Sequence, residues 1–105
     1  MEYYIDKLHY LNPANKKMEQ IVEIMSQYNN TIIVGDYKKL ASEIDAEIQD
    51  LNSRFPRTKR VILNVIDASD VFGNILLCVN YDPANSDTSL AYMYLNPIKD
   101  TIYFD

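Results

Sequence analysis

The second half of the chain is punctuated at intervals too short for anything but neighbouring strands. From Arg60 on, β-branched and aromatic runs recur at 61–66, 75–81, 90–95 and 101–104. They are separated by Asp67-Ala68-Ser69-Asp70 with Gly73-Asn74, by the stretch from Asp82-Pro83 to Asp87, and by Asn96-Pro97. A parallel return needs a crossover of a dozen or more residues, so these breaks dictate antiparallel pairing. The expected product is a four-stranded C-terminal meander.

The first half reads differently. Over 37–53 the residues Tyr37, Leu40, Ala41, Ile44, Ile48 and Leu51, followed by Phe55, keep a 3.6-residue period behind a capping Asp36, and Pro56 prevents continuation. A second helix is expected over 13–28, with Asn12 as cap, Pro13 in the first helical position and a stripe of Met18, Ile21, Val22, Met25 and Tyr28. Residues 3–11 read as a strand ended by Asn12-Pro13, and Thr31 to Val34 as a short buried strand or an extended connector. With 105 residues the chain makes one domain, 1–105. The fold class is α+β, two helices packed on a mainly antiparallel sheet.

The residue inventory removes several classes of chemistry. Two glycines leave no Gly-rich phosphate cradle, and one His with one Cys cannot assemble an ordinary zinc site, so neither a metal nor a cofactor is expected. His9 in a strand reads as structural or solvent-facing, and Cys78 in an apolar run reads as packing. Asp82, Asn85 and Asp87 lack the alternate spacing and terminal Glu of an EF-hand loop. The basic cluster Arg54, Arg57, Lys59 and Arg60 reads as a solvated helix end, where the dipole favours cations. An enzyme is not expected. The N-terminus lacks a basic segment followed by a long apolar one, and the longest apolar run, Ile75 to Val79, is far too short to span a bilayer. With a single cysteine, the expectation is a cytoplasmic protein without a membrane role.

The net charge of -5 argues against nucleic acid as a partner. That charge is unevenly placed. Residues 1–60 hold nine basic and nine acidic groups, whereas 61–105 hold Asp67, Asp70, Asp82, Asp87, Asp100 and Asp105 against Lys99 alone. Strand alternation assigns Ala91, Met93 and Leu95 to the core. It leaves Ile62, Asn64, Ile66, Cys78, Asn80, Tyr92, Tyr94 and Tyr103 on the far face. Such a face calls for a cover, which the chain itself, a second copy in a homodimer, or a foreign protein would supply.

These features fit a small acidic protein-binding module that inhibits a partner with a basic surface. Bacterial immunity proteins, which neutralise a toxin, often a nuclease, by covering its active site, share this size and charge. Phage-encoded inhibitors of host defence proteins fit the same profile. The competing expectation is a small ligand-binding or enzymatic α+β domain with its site in the meander loops. The expected partner contacts are Asp67, Asp70, Asp82, Asp87, Tyr92, Tyr94 and Tyr103.

Overall fold

Asp36 starts the longest helix by accepting a hydrogen bond from the Lys38 amide at 2.9 Å. This helix, α2 (Tyr37–Arg54), buries Leu40, Ala41, Ile44, Ile48 and Leu51 of the expected stripe, while Tyr37 is half-buried and Phe55, also half-buried, is the C-cap. The structure, a computed structural model, describes residues 2–71, 73–82 and 89–98. The other helix, α1 (Lys16–Ser26), begins three residues later than expected. Asn15, not Asn12, is its cap: the Asn15 side chain accepts from the Met18 amide at 2.9 Å, placing the first turn directly under the apolar stripe. Tyr28 lies beyond the helix, where its carbonyl accepts from the Thr31 amide and hydroxyl.

Both helices lie on one face of an antiparallel sheet with strand order β3-β1-β6-β5-β4. The strands are β1 (Glu2–Ile5), β2 (His9–Tyr10, paired with β6), β3 (Ile32–Val34), β4 (Val61–Ala68), β5 (Asn74–Tyr81) and β6 (Ala91–Ile98). The meander β4-β5-β6 is as expected; the fourth run at 101–104 lies outside the described residues. The chain is an α+β fold, with two helices against six strands among the described residues. Two contacts pin α2 antiparallel to β4. The Tyr37 hydroxyl donates to Asp67 at one end, and the Asn52 amide binds Val61 at the other. Fifteen residues of helix rise about 22 Å and six of strand about 20 Å, so the two elements match in length.

Three local expectations are overturned. The strand over 3–11 is two strands. Ile5 faces Leu95 and His9 faces Tyr92, so four steps on one chain oppose three on the other. The extra residue makes a bulge that buries Leu8 and reverses the side-chain alternation beyond it. The segment 32–34 is not a buried strand but an exposed edge, with Ile32 59% and Val34 78% accessible. Asn96-Pro97 does not end β6, which runs to Ile98 along β1. The Asp6 amide donates to the Tyr94 carbonyl, so by alternation Tyr3 and Pro97 form a pair without hydrogen bonds. Pairing with β5 has already stopped at Leu95, so the missing Pro97 N–H interrupts no ladder.

The helix-side core includes Ile5, Ile21, Met25, Ile44, Ile48, Ile75, Leu77, Met93 and Leu95, each fully buried or nearly so. Lys17 is buried with them, 1% exposed. Its ammonium donates to Asn52 Oδ1 at 2.9 Å and to the Lys59 carbonyl. No helix among the described residues is long and apolar enough to cross a membrane.

Candidate functional site

The alternation that buries Ala91, Met93 and Leu95 turns Tyr92 and Tyr94 to the opposite face. Strand register places Leu76 beside Tyr94 and Cys78 beside Tyr92. It then places Asn64 beside Cys78 and Ile66 beside Leu76, so the expected far-face residues within the described chain do share one face. No described helix lies over it. Ile66 remains 49% exposed and Asn64 and His9 are exposed.

Three rings form the centre of this face. His9 stacks on Tyr92 with centroids 5.0 Å apart and planes 15° from parallel. Tyr92 meets Tyr94 edge-on at 5.8 Å and 81°. Amide bonds organise the surroundings. Asn64 Nδ2 donates to Asn80 Oδ1 at 2.9 Å, and Asn96 Nδ2 donates to the Asp6 carboxylate at 2.9 Å. The Tyr4 hydroxyl donates to Asn30 Oδ1 at 2.9 Å. Cys78 is only 5% exposed between these groups, and burial pushes its thiol up, against a smaller opposing effect of the Ser89 hydrogen bond. That is the environment of a packing cysteine rather than a nucleophile.

The aspartates are distributed at the two ends of the β4-β5 hairpin. Asp67 sits on the helix side of β4. Its carboxylate accepts from the Ser69 hydroxyl and amide and, at 3.1 Å, from the Tyr37 hydroxyl. The Ser69 bonds first, then Tyr37, hold its carboxyl below the usual range. Asp70 is exposed in the turn that follows. Asp82 lies at the far end, about 20 Å away along the strands, and pairs with Arg60 at 3.3 Å. Asp67 and Asp70 are therefore neighbours, Asp82 is not, and Tyr92 and Tyr94 lie on the sheet between the two ends. Asp87 and Tyr103 lie outside the described residues.

Three members of the basic cluster are locally engaged, and Arg57 is exposed. Arg54 pairs with Asp50 at 3.0 Å, Arg60 also donates to Gln49 at 2.8 Å, and Lys59 lies over the Tyr81 ring at 5.1 Å. Among the described residues no group of three His, Cys, Asp or Glu converges to hold a metal. Sequence reasoning missed Tyr4, Asp6, His9 and Leu76 as members of the open face. Strict alternation separates Tyr4 from His9, and only the bulge brings them to the same side. The signal was the broken pattern at Asp6-Lys7, polar residues where an uninterrupted strand would alternate.

The arrangement offers flat aromatic area, amide and phenol hydrogen-bonding groups, and carboxylates at both ends. Compared with protein-family models, curated proteins and solved structures, the chain finds no significant match.

Proposed function

We propose that the protein is an inhibitory binding module that lays its open sheet face on a basic protein partner, as an immunity protein covers the active site of a toxin. One observation carries this reading: the His9, Tyr92 and Tyr94 rings stand uncovered by any described helix between two carboxylate-bearing hairpin ends. Tyrosine suits such a surface because it contributes large contact area with few rotatable bonds and a polar tip. Carboxylates at the margin raise association rates toward a basic surface and reject acidic ones. A nuclease, whose cleft is built to receive phosphates, is the partner class that fits best. The module acts by occupancy, in the cytoplasm, with no chemistry, metal or cofactor of its own.

The test uses the wild type and a Tyr92→Ala/Tyr94→Ala double variant as baits in the host of origin, followed by titration of each purified partner. The expected partner is basic, is lost by the double variant, associates more slowly as salt rises, and is inhibited at one-to-one stoichiometry. Recovery of neutral or acidic partners only, or of a partner that the double variant still holds, removes the reading.

A further inference from the structure

The sheet has a second feature, at its β3 margin. The Ile5 amide donates to the Thr31 carbonyl at 2.8 Å, which fixes the phase of the β1-β3 ladder. With Tyr3 opposite Ile33, that phase turns the backbone groups of Ile33 toward β1 and those of Ile32 and Val34 away from the sheet. Among the described residues nothing bonds to these outward N–H and C=O groups. The strand is short, which limits how much edge it offers, but Ile32-Ile33-Val34 contains no charge and no proline to guard it.

The other sheet edge is closed at one end. On β4 the Asp82 amide donates to the Arg60 carbonyl, so the odd residues point outward. There Asn52 closes the edge at Val61, accepting from its N–H at 3.0 Å and donating to its C=O at 2.8 Å. Among the described residues no side chain does this for β3.

A groove of about 280 Å³ runs beside the open edge on the helix side. Tyr28, Ile33 and Leu40 line it with apolar surface, and Asp36, Glu43 and Lys39 stand around it. Glu47 and Glu43 both bear on the Tyr28 hydroxyl, so the acidic groups outnumber Lys39.

We propose that β3 is a docking edge for an extended segment of a partner protein, added as a further strand, in which apolar residues alternate with lysine or arginine. The alternation follows from register. Partner residues bonded to Ile32 and Val34 share the face of those two side chains and would be apolar. The residue opposite Ile33 points to the helix side, into the groove. A long cationic side chain suits that position: its stem lies on Tyr28 and Leu40 and its head reaches Glu43 and Asp36. A second copy of this chain fits poorly, because edge-to-edge pairing would bring two such acidic rims together. The docking edge is independent of the open-face function, since the Tyr92→Ala/Tyr94→Ala variant leaves β3 intact.

The probe is a synthetic peptide of alternating valine and lysine, compared with its valine–glutamate counterpart and with a form N-methylated at the valines. Binding is read by titration and by backbone amide signals of the full chain. The expected result is binding of the valine–lysine peptide alone, with new hydrogen-exchange protection at the Ile32 and Val34 amides. Val34→Pro removes one outward N–H without touching the β1 ladder, and Glu43→Lys reverses the rim. Each should weaken binding at least about tenfold. Should Val34→Pro fail to fold, the N-methylated peptide asks the same question of the wild type. Equal binding of the glutamate or N-methylated peptide overturns the proposal. So does protection of Ile32 and Val34 that grows with protein concentration when no peptide is present, which would assign the edge to a second copy.

Discussion

The two faces of the sheet are written on the same strands, one residue out of phase, yet they are built on different physics. On the helix side Ile75, Leu77, Val79, Ala91, Met93 and Leu95 are buried and apolar, and their stabilisation comes from area removed from water and from close packing. On the open side Asn64, Asn80, Asn96, Asp6 and Tyr4 are held by side-chain hydrogen bonds, and three rings pack together in the middle. The first face is committed to folding. The second is ordered without being covered by any described helix, which is what a recognition surface requires.

The largest contrast is expected from truncation one residue apart. Leu77→Ala should cost about 2–5 kcal/mol, the range for a large side chain removed from a core that cannot fully collapse. Leu76→Ala, on the same strand but pointing to the open face, should cost far less. Urea denaturation of both variants measures the ratio. Similar losses would mean that the open face is as closely packed as the core, and would break the comparison.

Next comes the corner where the core itself turns polar. Asn52 bonds both Val61 backbone groups and receives the buried Lys17 ammonium, so it satisfies three groups with one amide. Asn52→Ala should cost about 1–3 kcal/mol, since it leaves buried donors and an acceptor without partners. Burial, and then the Arg60 charge, push the Lys17 pKa below the usual 10.5. The unfolded chain then keeps a proton that the folded chain has lost, so stability rises with pH from the depressed value up to about 10.5. Tyr3, Tyr28 and Tyr37 act oppositely. Their pKa values are raised above 10.0, so stability falls once the unfolded chain begins to lose phenol protons. Lys17→Met should abolish this alkaline rise of the stability–pH curve and leave the fall.

On the open face, Tyr92→Ala removes the partner of both His9 and Tyr94. With two ring pairs lost at about 0.5–1.5 kcal/mol each beyond area, it should cost about 1–3 kcal/mol of stability. A stability loss as large as that of Leu77→Ala would assign the ring cluster to the core rather than to recognition.

The helix face was far easier to read from sequence than the open one, and the reason is periodicity. Leu40, Ile44, Ile48 and Leu51 repeat over four turns behind one cap, and Ala91, Met93 and Leu95 alternate cleanly. Tyr92 and Tyr94 were legible from the same alternation. His9, Tyr4 and Asp6 were not, because one inserted residue reverses the parity of everything before it, and no composition marks an insertion. Asn12 and Asn15 are chemically equal caps; only the position of the core under Met18 chooses between them. Pro97 reads as a break unless one knows that β5 stops pairing at Ile75. Lys17 beside Met18 gave no sign that its ammonium would be buried, since its acceptors lie thirty-five and forty-two residues away.

The smallest effect concerns the boundary between the two faces. Asp67 is on the helix side of β4, yet it stands among the acidic groups assigned to the partner-facing rim. Its charge is maintained first by the Ser69 hydroxyl, then by the Ser69 amide and the Tyr37 hydroxyl, against desolvation, with the Lys38 charge a smaller support. Tyr37→Phe removes one hydrogen bond to the ionised form, so the Asp67 midpoint in a carbon-detected NMR titration should rise while staying below the usual 3.8. Ser69→Ala should raise it further, because the hydroxyl bond is the larger cause. The sign for stability follows. A carboxyl depressed in the folded state contributes above its unfolded pKa, and the contribution is lost as pH falls through the folded value, so both variants should be slightly less acid-sensitive than the wild type. A midpoint unmoved by Tyr37→Phe would mean that the phenol does not support the charge. The end of α2 would then hold Asp67 in place only by packing, and the carboxylate would belong to the helix face alone.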